Sequence, residues 1–158
     1  MSDVEAVLLG IAQDAGIPQA GCYCTHCRRA RSQPEHRQLV VSLGLIDHNS
    51  RRYWLIDATP DFREQIHLLG QASPAYQFDG IILTHLHVGH YTGLVFIGPE
   101  SMNLYDLNLY VSWRTEKFLR ENQPWRFLTQ QKHLVPQRIN PGQASSPEQT
   151  SCSAAHSG

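Results

Sequence analysis

The chain has 158 residues, of which 41% are hydrophobic and 17% charged, and its formal net charge is −1. This length predicts one domain, and the near-neutral charge gives no general attraction to nucleic acid or to a membrane surface. No apolar run reaches membrane-spanning length, and the first residues lack the basic segment and cleavage site of a signal peptide. We therefore expect a cytoplasmic protein whose cysteines serve as metal ligands or free thiols.

Apolar runs rich in β-branched residues predict the strands. We expect strands at 4–11, 39–46 and 53–57, followed by strands at 79–84 and 107–111. The run at 79–84 is continuously apolar, which is typical of a strand buried on both faces.

Helix signals lie between these runs. CYCTHCRRARSQ predicts a short, basic, partly helical segment. In TPDFREQIHLLG, Thr59 can cap a helix, Pro60 suits its first turn and Gly70 should end it. Ser112 should cap a further helix in WRTEKFLREN. Three residues of the TPDFREQIHLLG helix share one face for burial: Phe62, Ile66 and Leu69.

The alternation of strands and helices predicts an α/β layered fold. In such folds, functional sites usually lie just beyond the carboxyl ends of the strands. The stretch DGIILTHLHVGHYTGL therefore stands out, because three histidines follow directly on its predicted strand.

These histidines, His85, His87 and His90, predict a metal site. On an extended segment, His85 and His87 point the same way and can hold one ion together, whereas His90 is better placed for a second ion. Thr84 and Tyr91 could orient the rings by hydrogen bonds. The alternative is three solvated loop histidines, which the preceding strand disfavours. Four isolated histidines carry no such signal, and we expect the last on a surface loop: His36, His48, His67 and His133.

THLHVGH resembles the T-H-x-H-x-D-H signature of the metallo-β-lactamase superfamily, and YWLIDATPDF resembles that superfamily's L-I-D-x-G strand end. The resemblance implies that His85 and His87 hold a first metal ion and that Asp57 is the buried acid. It also implies that positions 89 and 90 contribute to a second ion. Gly89 stands where the superfamily has aspartate, and glycine can neither coordinate a metal nor accept a proton.

The cysteines Cys22, Cys24 and Cys27 form a C-x-C-x-x-C cluster followed by three arginines. Three soft thiolates at this spacing suit a structural tetrahedral zinc, with a fourth ligand from elsewhere. Free loop thiols are the alternative. A disulfide to Cys152 is disfavoured because that residue lies in a polar tail.

LGIAQDAGIPQAGCYCTHCRRAR resembles the opening of one subgroup of this superfamily. The subgroup contains the pyrroloquinoline-quinone (PQQ) biosynthesis protein B and the cyclic phosphodiesterase of the phosphonate pathway. There the three cysteines hold a structural zinc completed by a histidine from late in the chain. The likeness runs from about residue 4 to 142 and implies the N-terminal half of an αββα sandwich.

We accordingly divide the chain into a partial metallo-β-lactamase-like domain, 1–142, and a disordered tail, 143–158. The domain contains the structural zinc loop 21–28 and the histidine motif 84–90. No aspartate follows Asp106, and the only later histidines are His133 and His156. This predicts a truncated N-terminal portion whose sheet has a bare inner face. Such a chain should be poorly soluble, or should rely on a homodimer or on a partner supplying the other half.

Three functions are compatible with these motifs. The first is a hydrolase in which metal-activated water attacks a small-molecule ester or phosphodiester, inactive or impaired in this truncated form; its metal is zinc, with manganese and iron as alternatives. The second is a non-catalytic metal-binding or carrier protein in PQQ biosynthesis. The third, a nucleic-acid module around RRARSQPEHR, is weakest, because no aromatic residues are interleaved with the arginines.

Overall fold

A computed structural model describes residues 3–140 and Gly142. The predicted tail, with Cys152 and His156, lies outside these residues. The strands are β1 Val4–Gly10, β2 Ser42–Asp47, β3 Arg52–Ile56, β4 Gln77–Ile82, β5 Leu107–Val111 and β6 Leu134–Arg138. The α-helices are α1 Thr25–Ser32, α2 Phe62–Ala72, α3 Val88–Tyr91, α4 Trp113–Glu121 and α5 Trp125–Gln130, and short 3-10 helices span Pro34–His36 and Thr92–Ile97.

The six strands form one mixed sheet in the order of the sequence. β2 is antiparallel to both of its neighbours, while β3, β4, β5 and β6 run parallel. β1 therefore points in the same direction as β3 and β4. As a result, the loops that follow β1, β3 and β4 all start at the same edge of the sheet.

The core lies on one face of this sheet, beneath the helices. Leu55, Ile81 and Leu109 are in register on three adjacent strands, and all three are fully buried. Phe62 and Leu69 of α2 join the same cluster, as the helical spacing predicts. The predicted α/β alternation is confirmed.

Helix α2 differs from its predicted bounds at both ends. Thr59 Oγ1 accepts a hydrogen bond from the N–H of Asp61 at 3.0 Å. Thr59 is nevertheless not the cap residue, because the helix begins only at Phe62. Gly70 does not end the helix. The helix continues to Ala72 and closes at Ser73, whose N–H donates to the Leu69 carbonyl at 3.1 Å.

Two further expectations are corrected. Residues 39–41 precede β2, because this segment pairs with the loop after β1: the N–H groups of Ile11 and Ala12 donate to the Leu39 carbonyl at 3.1 and 3.0 Å. His133 does not lie on the surface. It is 2% exposed, and its Nδ1 lies 2.7 Å from the carbonyl oxygen of Leu104. It therefore has a structural role in the core.

The second face of the sheet contributes no member to the buried core cluster. Strand register places eight large side chains on it: Leu8, Leu43, Leu45, Trp54, Ile56, Ile82, Tyr110 and Val135. Leu8 is 65% exposed. Within the described part of the chain, no helix has the length and apolar character needed to cross a membrane.

We expect the purified chain to self-associate through this second face, because covering apolar surface gains roughly 25 cal/mol per Å². Leu8→Lys should weaken the association, whereas Leu68→Lys, on α2, should not. Sedimentation velocity over a range of concentrations measures the effect. A parent chain that stays monomeric at high concentration would contradict the expectation.

Gly93→Ala should destabilise the fold by about 1–3 kcal/mol, because the new methyl group would lie 2.3 Å from the Thr59 carbonyl oxygen and 2.6 Å from Phe62 Cβ. Gly70→Ala is the matched control. It meets nothing within 4 Å and should stabilise α2 by about 0.5–1 kcal/mol. Urea unfolding measures both changes, and equal stability of the two variants would show that the packing at Gly93 is looser than described.

Candidate metal centre

The predicted histidine motif lies at the edge of the sheet where β1, β3 and β4 end. Asp57 follows β3 directly, and His85 comes three residues after the end of β4. The loop after β1 brings Asp14 to the same place. The parallel direction of the three strands therefore gathers residues that are far apart in sequence.

Asp57 is the buried acid of the site, as predicted, and it is 5% exposed. Its backbone has a positive φ of 65°, a conformation that aspartate adopts more readily than most residues. The carboxylate accepts the N–H of Thr84 at 2.8 Å and lies 2.8 and 2.9 Å from the Thr84 hydroxyl oxygen. Its Oδ2 is also 2.8 Å from Nδ1 of His90. One carboxylate thus holds both ends of the histidine motif.

His90 is the buried member of the motif, at 7% exposed. Its carbonyl oxygen accepts the N–H of Ala58 at 2.9 Å, and Gly93 N–H donates to the Ala58 carbonyl at 2.8 Å. These bonds attach α3 to the segment after β3. With Nδ1 on Asp57, the ring directs Nε2 at Asp14 Oδ1, 3.2 Å away.

His85 and His87 are exposed, and their rings meet edge to face with centroids 4.5 Å apart. The His85 ring is also 4.1 Å from that of His90. Thr84 Oγ1 is 2.9 Å from His85 Nδ1. Because that hydroxyl donates its one proton to Asp57, it accepts from Nδ1–H, which leaves Nε2 of a neutral His85 ring as a lone-pair donor. The orienting role expected of Thr84 therefore agrees with the geometry.

Tyr91 does not take the orienting role expected of it. Its ring is 8% exposed and packs edge-on against Phe118 and Trp125, with centroid distances of 5.4 and 4.8 Å. Tyr91 thus anchors α3 to the core.

Asp14 is the site residue that sequence reasoning missed. Besides its contact with His90, its Oδ2 lies 3.9 Å from Nδ1 of His87. A lone aspartate in a loop gives no metal signal in a sequence. The available clue was topological: β1 runs parallel to β3, so its trailing loop had to start at the histidine edge.

The three cysteines are brought together as predicted. One ligand atom from each of Cys22, Cys24 and Cys27 lies within 4.8 Å of the others, and among the described residues this is the only group of three or more that meets this spacing. The Gln19 N–H donates to the Cys27 sulfur at 3.4 Å, and Arg31 donates to the Gln19 carbonyl at 2.8 Å.

The thiols differ in acidity. Hydrogen bonding by the Cys27 N–H, with further bonding from the Cys22 and Cys27 thiols, lowers the pKa of Cys24 from 9.0 to about 7. The Gln19 N–H lowers the pKa of Cys27, but burial and the two other sulfurs outweigh it, so the net shift is upward. Cys24 is therefore substantially thiolate near neutral pH, as a metal ligand must be.

Both donor sets fit metal ions chemically. Three thiolates at this spacing suit zinc, and imidazoles with a carboxylate suit zinc, manganese or iron. In the histidine centre, however, the donor atoms contact one another in pairs, His90 with Asp14 and His85 with Thr84. An open cavity of about 630 Å³ adjoins this centre, lined by His87 and by residues of the loop 13–19. Its size is within the range of small-molecule sites.

Known proteins resemble this chain over much of its length. Coenzyme PQQ synthesis protein B of Rhodopseudomonas palustris is 29% identical over 141 residues, which cover 85% of this chain and 44% of that protein. The octanoyltransferase of Porphyromonas gingivalis is 36% identical over 91 residues, or 58% of this chain, but these are only 17% of that longer protein.

Solved structures share the fold. Zn²⁺-bound PqqB from Methylobacterium extorquens superposes with a TM-score of 0.75 at 23% identity, over 90% of this chain and 52% of that one. A diphosphatase of the PhnP family gives 0.65 at 27% identity, over 87% and 50%. The chain thus spans about half the length of these structures and of the protein B relative.

These likenesses confirm the expected fold, half of a metallo-β-lactamase-type sandwich, and the resemblance to the protein B and PhnP subgroup. The protein family described as the beta-lactamase superfamily domain matches this chain over residues 52–157. The match covers more than half of the chain and includes Asp57 and all three motif histidines. The chain therefore belongs to the beta-lactamase superfamily.

Proposed function

We propose that this chain carries the metal-binding half-site of a metal-dependent hydrolase. One observation carries the proposal. The rings of His85, His87 and His90 lie close together where the strands end. Asp57 is hydrogen-bonded to both His90 and Thr84, at the two ends of this motif. A site built this way orients the imidazoles of His85 and His90 before any ligand arrives. Orientation of this kind is what metal ligands require of the residues around them.

His85 and His87 would hold the first ion, and His90 would contribute to a second. A divalent ion there supplies Lewis-acid chemistry, polarising an ester or phosphoryl oxygen and lowering the pKa of water. Asp57 keeps Nδ1 of His90 protonated, so Nε2 is the coordinating atom. Thr84 does the same for His85. The cavity beside His87 provides room for a small substrate.

The likeness to one solved structure supports a phosphorus-containing ester as the substrate class. The PhnP-family neighbour is named a diphosphatase and shares 27% identity with this chain, which favours a phosphodiester or diphosphate. The chain spans about half of that structure, and we assign no residue of this chain to substrate selection.

We assign the cysteine cluster to structural zinc. Cys27 is buried and tied to Gln19, so a bound ion would fix the loop that leads from the histidine edge into α1. A histidine from elsewhere, or another donor, would complete a tetrahedral site.

A second candidate function is a metal-binding or carrier protein without turnover, in PQQ biosynthesis. It is favoured by the pairing of donor atoms within the histidine centre and by the similarity to coenzyme PQQ synthesis protein B. The two candidates differ in one measurable respect, since both bind metal and only the hydrolase turns over a substrate.

His85→Ala should lower hydrolysis of bis(4-nitrophenyl) phosphate by at least about 100-fold in zinc-supplemented buffer, because it removes a ligand of the first ion. His67→Ala, an exposed histidine on α2, is the matched control and should leave the rate unchanged. Metal bound without any turnover by the parent chain would favour the carrier, and equal rates for parent and His85→Ala would contradict the assigned role.

Cys24→Ser should remove about one zinc ion per chain and lower the melting temperature, because two thiolates alone do not hold a structural zinc. Tyr23→Ser, in the same loop, should retain the ion. Plasma mass spectrometry on dialysed protein counts the zinc. If the parent melts at the same temperature with and without a chelator, the cysteines do not carry a structural ion.

A further inference from the structure

Gly89 is buried at the start of α3, and a methyl group at this position would collide with Asp14. It would lie 2.5 Å from both Cα and Cβ of Asp14 and 2.8 Å from its Cγ. Two of these atoms belong to the side chain of Asp14, so that side chain occupies the space into which a residue-89 side chain would extend. Only glycine at 89 leaves this space to the loop after β1.

The Asp14 carboxylate lies beside two of the motif histidines. Its Oδ1 lies 3.2 Å from Nε2 of His90, and its Oδ2 lies 3.9 Å from Nδ1 of His87. It is half exposed, so it also faces the cavity beside the centre.

Both ring nitrogens of the buried His90 face carboxylate oxygens. Nδ1 faces the Asp57 carboxylate at 2.8 Å and Nε2 faces the Asp14 carboxylate at 3.2 Å. A neutral imidazole carries a single N–H and can donate to only one of them. With its single N–H on Nδ1, the ring presents a lone pair to the oxygen of Asp14. A cation bound to both atoms would satisfy them, as would a second proton on the ring.

The backbone holds Asp14 in this position from both sides. Before it, the Val41 N–H donates to the Ala12 carbonyl at 2.8 Å. After it, Gly16 N–H donates to the Gln13 carbonyl at 2.8 Å, and Ile17 exchanges two 2.9 Å bonds with Gln38. The placement of Asp14 is therefore built into the loop.

We propose that Asp14 supplies the metal-binding carboxylate that position 89 lacks, sharing with His90 Nε2 the second cation of the histidine centre. This inference rests on the proposed function. Gly89 then complements Asp14: the motif residue has lost its side chain at the place where a loop from another strand delivers the same chemical group.

The test measures Zn²⁺ bound per chain at a series of free Zn²⁺ concentrations, by equilibrium dialysis of the full chain. The cysteine ion is common to all variants. Asp14→Asn keeps the side-chain size but removes the anionic oxygen, and it should weaken Zn²⁺ binding at the histidine centre at least about 100-fold. Gly89→Ala changes no ligand atom but displaces the loop, and it should cause a comparable loss.

The double variant, Asp14→Asn with Gly89→Ala, should bind no more weakly than either single variant, because both changes remove one interaction. Glu64→Gln, which removes an exposed carboxylate on α2, is the control and should bind as the parent does. Parent-like affinity in Asp14→Asn would overturn the inference. So would losses that multiply in the double variant, and circular dichroism checks that each variant is folded.

Hydrolysis of bis(4-nitrophenyl) phosphate in the same samples separates this inference from the proposed function. A parent that needs Asp14 for zinc but turns over nothing keeps the assignment of Asp14 and favours the carrier over the hydrolase. If the parent is active while Asp14→Asn binds zinc normally, the hydrolase proposal stands and the assignment of Asp14 is wrong. A parent that binds zinc only at the cysteines overturns both.

Discussion

The Asp57 carboxylate is the constraint on which the site depends. It is buried at the end of β3, and it accepts from Thr84 on one side while facing His90 on the other. A buried carboxylate is stable only when its oxygens are hydrogen-bonded, so the fold can bury Asp57 only by drawing the histidine motif onto it. The arrangement of the imidazoles is thus a consequence of satisfying one acid, and it precedes any metal.

Much of this could be predicted from local sequence, and the parts that could not have a common cause. The apolar run at 107–111 predicted both ends of β5 correctly. Ser112 caps α4 as expected, because its side chain accepts the Thr115 N–H at 3.3 Å. Those features depend on neighbours in the chain. Asp14 and the burial of His133 depend on pairing between distant strands, which periodicity does not encode. The prediction that α2 ends at Gly70 was wrong for a related reason. Tertiary packing of α2 outweighs the weak local preference of glycine for a helix end.

The two candidate metal loci are parts of one loop system. The loop after β1 contacts His90 through Asp14 and, five residues later, contacts the Cys27 sulfur through the Gln19 N–H. Arg31 returns from α1 to the carbonyl of Gln19. An ion at the cysteines would therefore stiffen the segment that delivers a carboxylate to the histidines, even though the two loci share no ligand.

The close approach of Gly89 to Asp14 also restricts how such a protein can change over generations. A larger residue at 89 expels the loop, and a loop that has withdrawn leaves no acid beside His90. A change to the aspartate form of the motif would require both alterations at once, since each alone disturbs the histidine centre. Descendants of this chain should consequently keep glycine and aspartate together as a linked pair, a covariation detectable in any collection of close homologues.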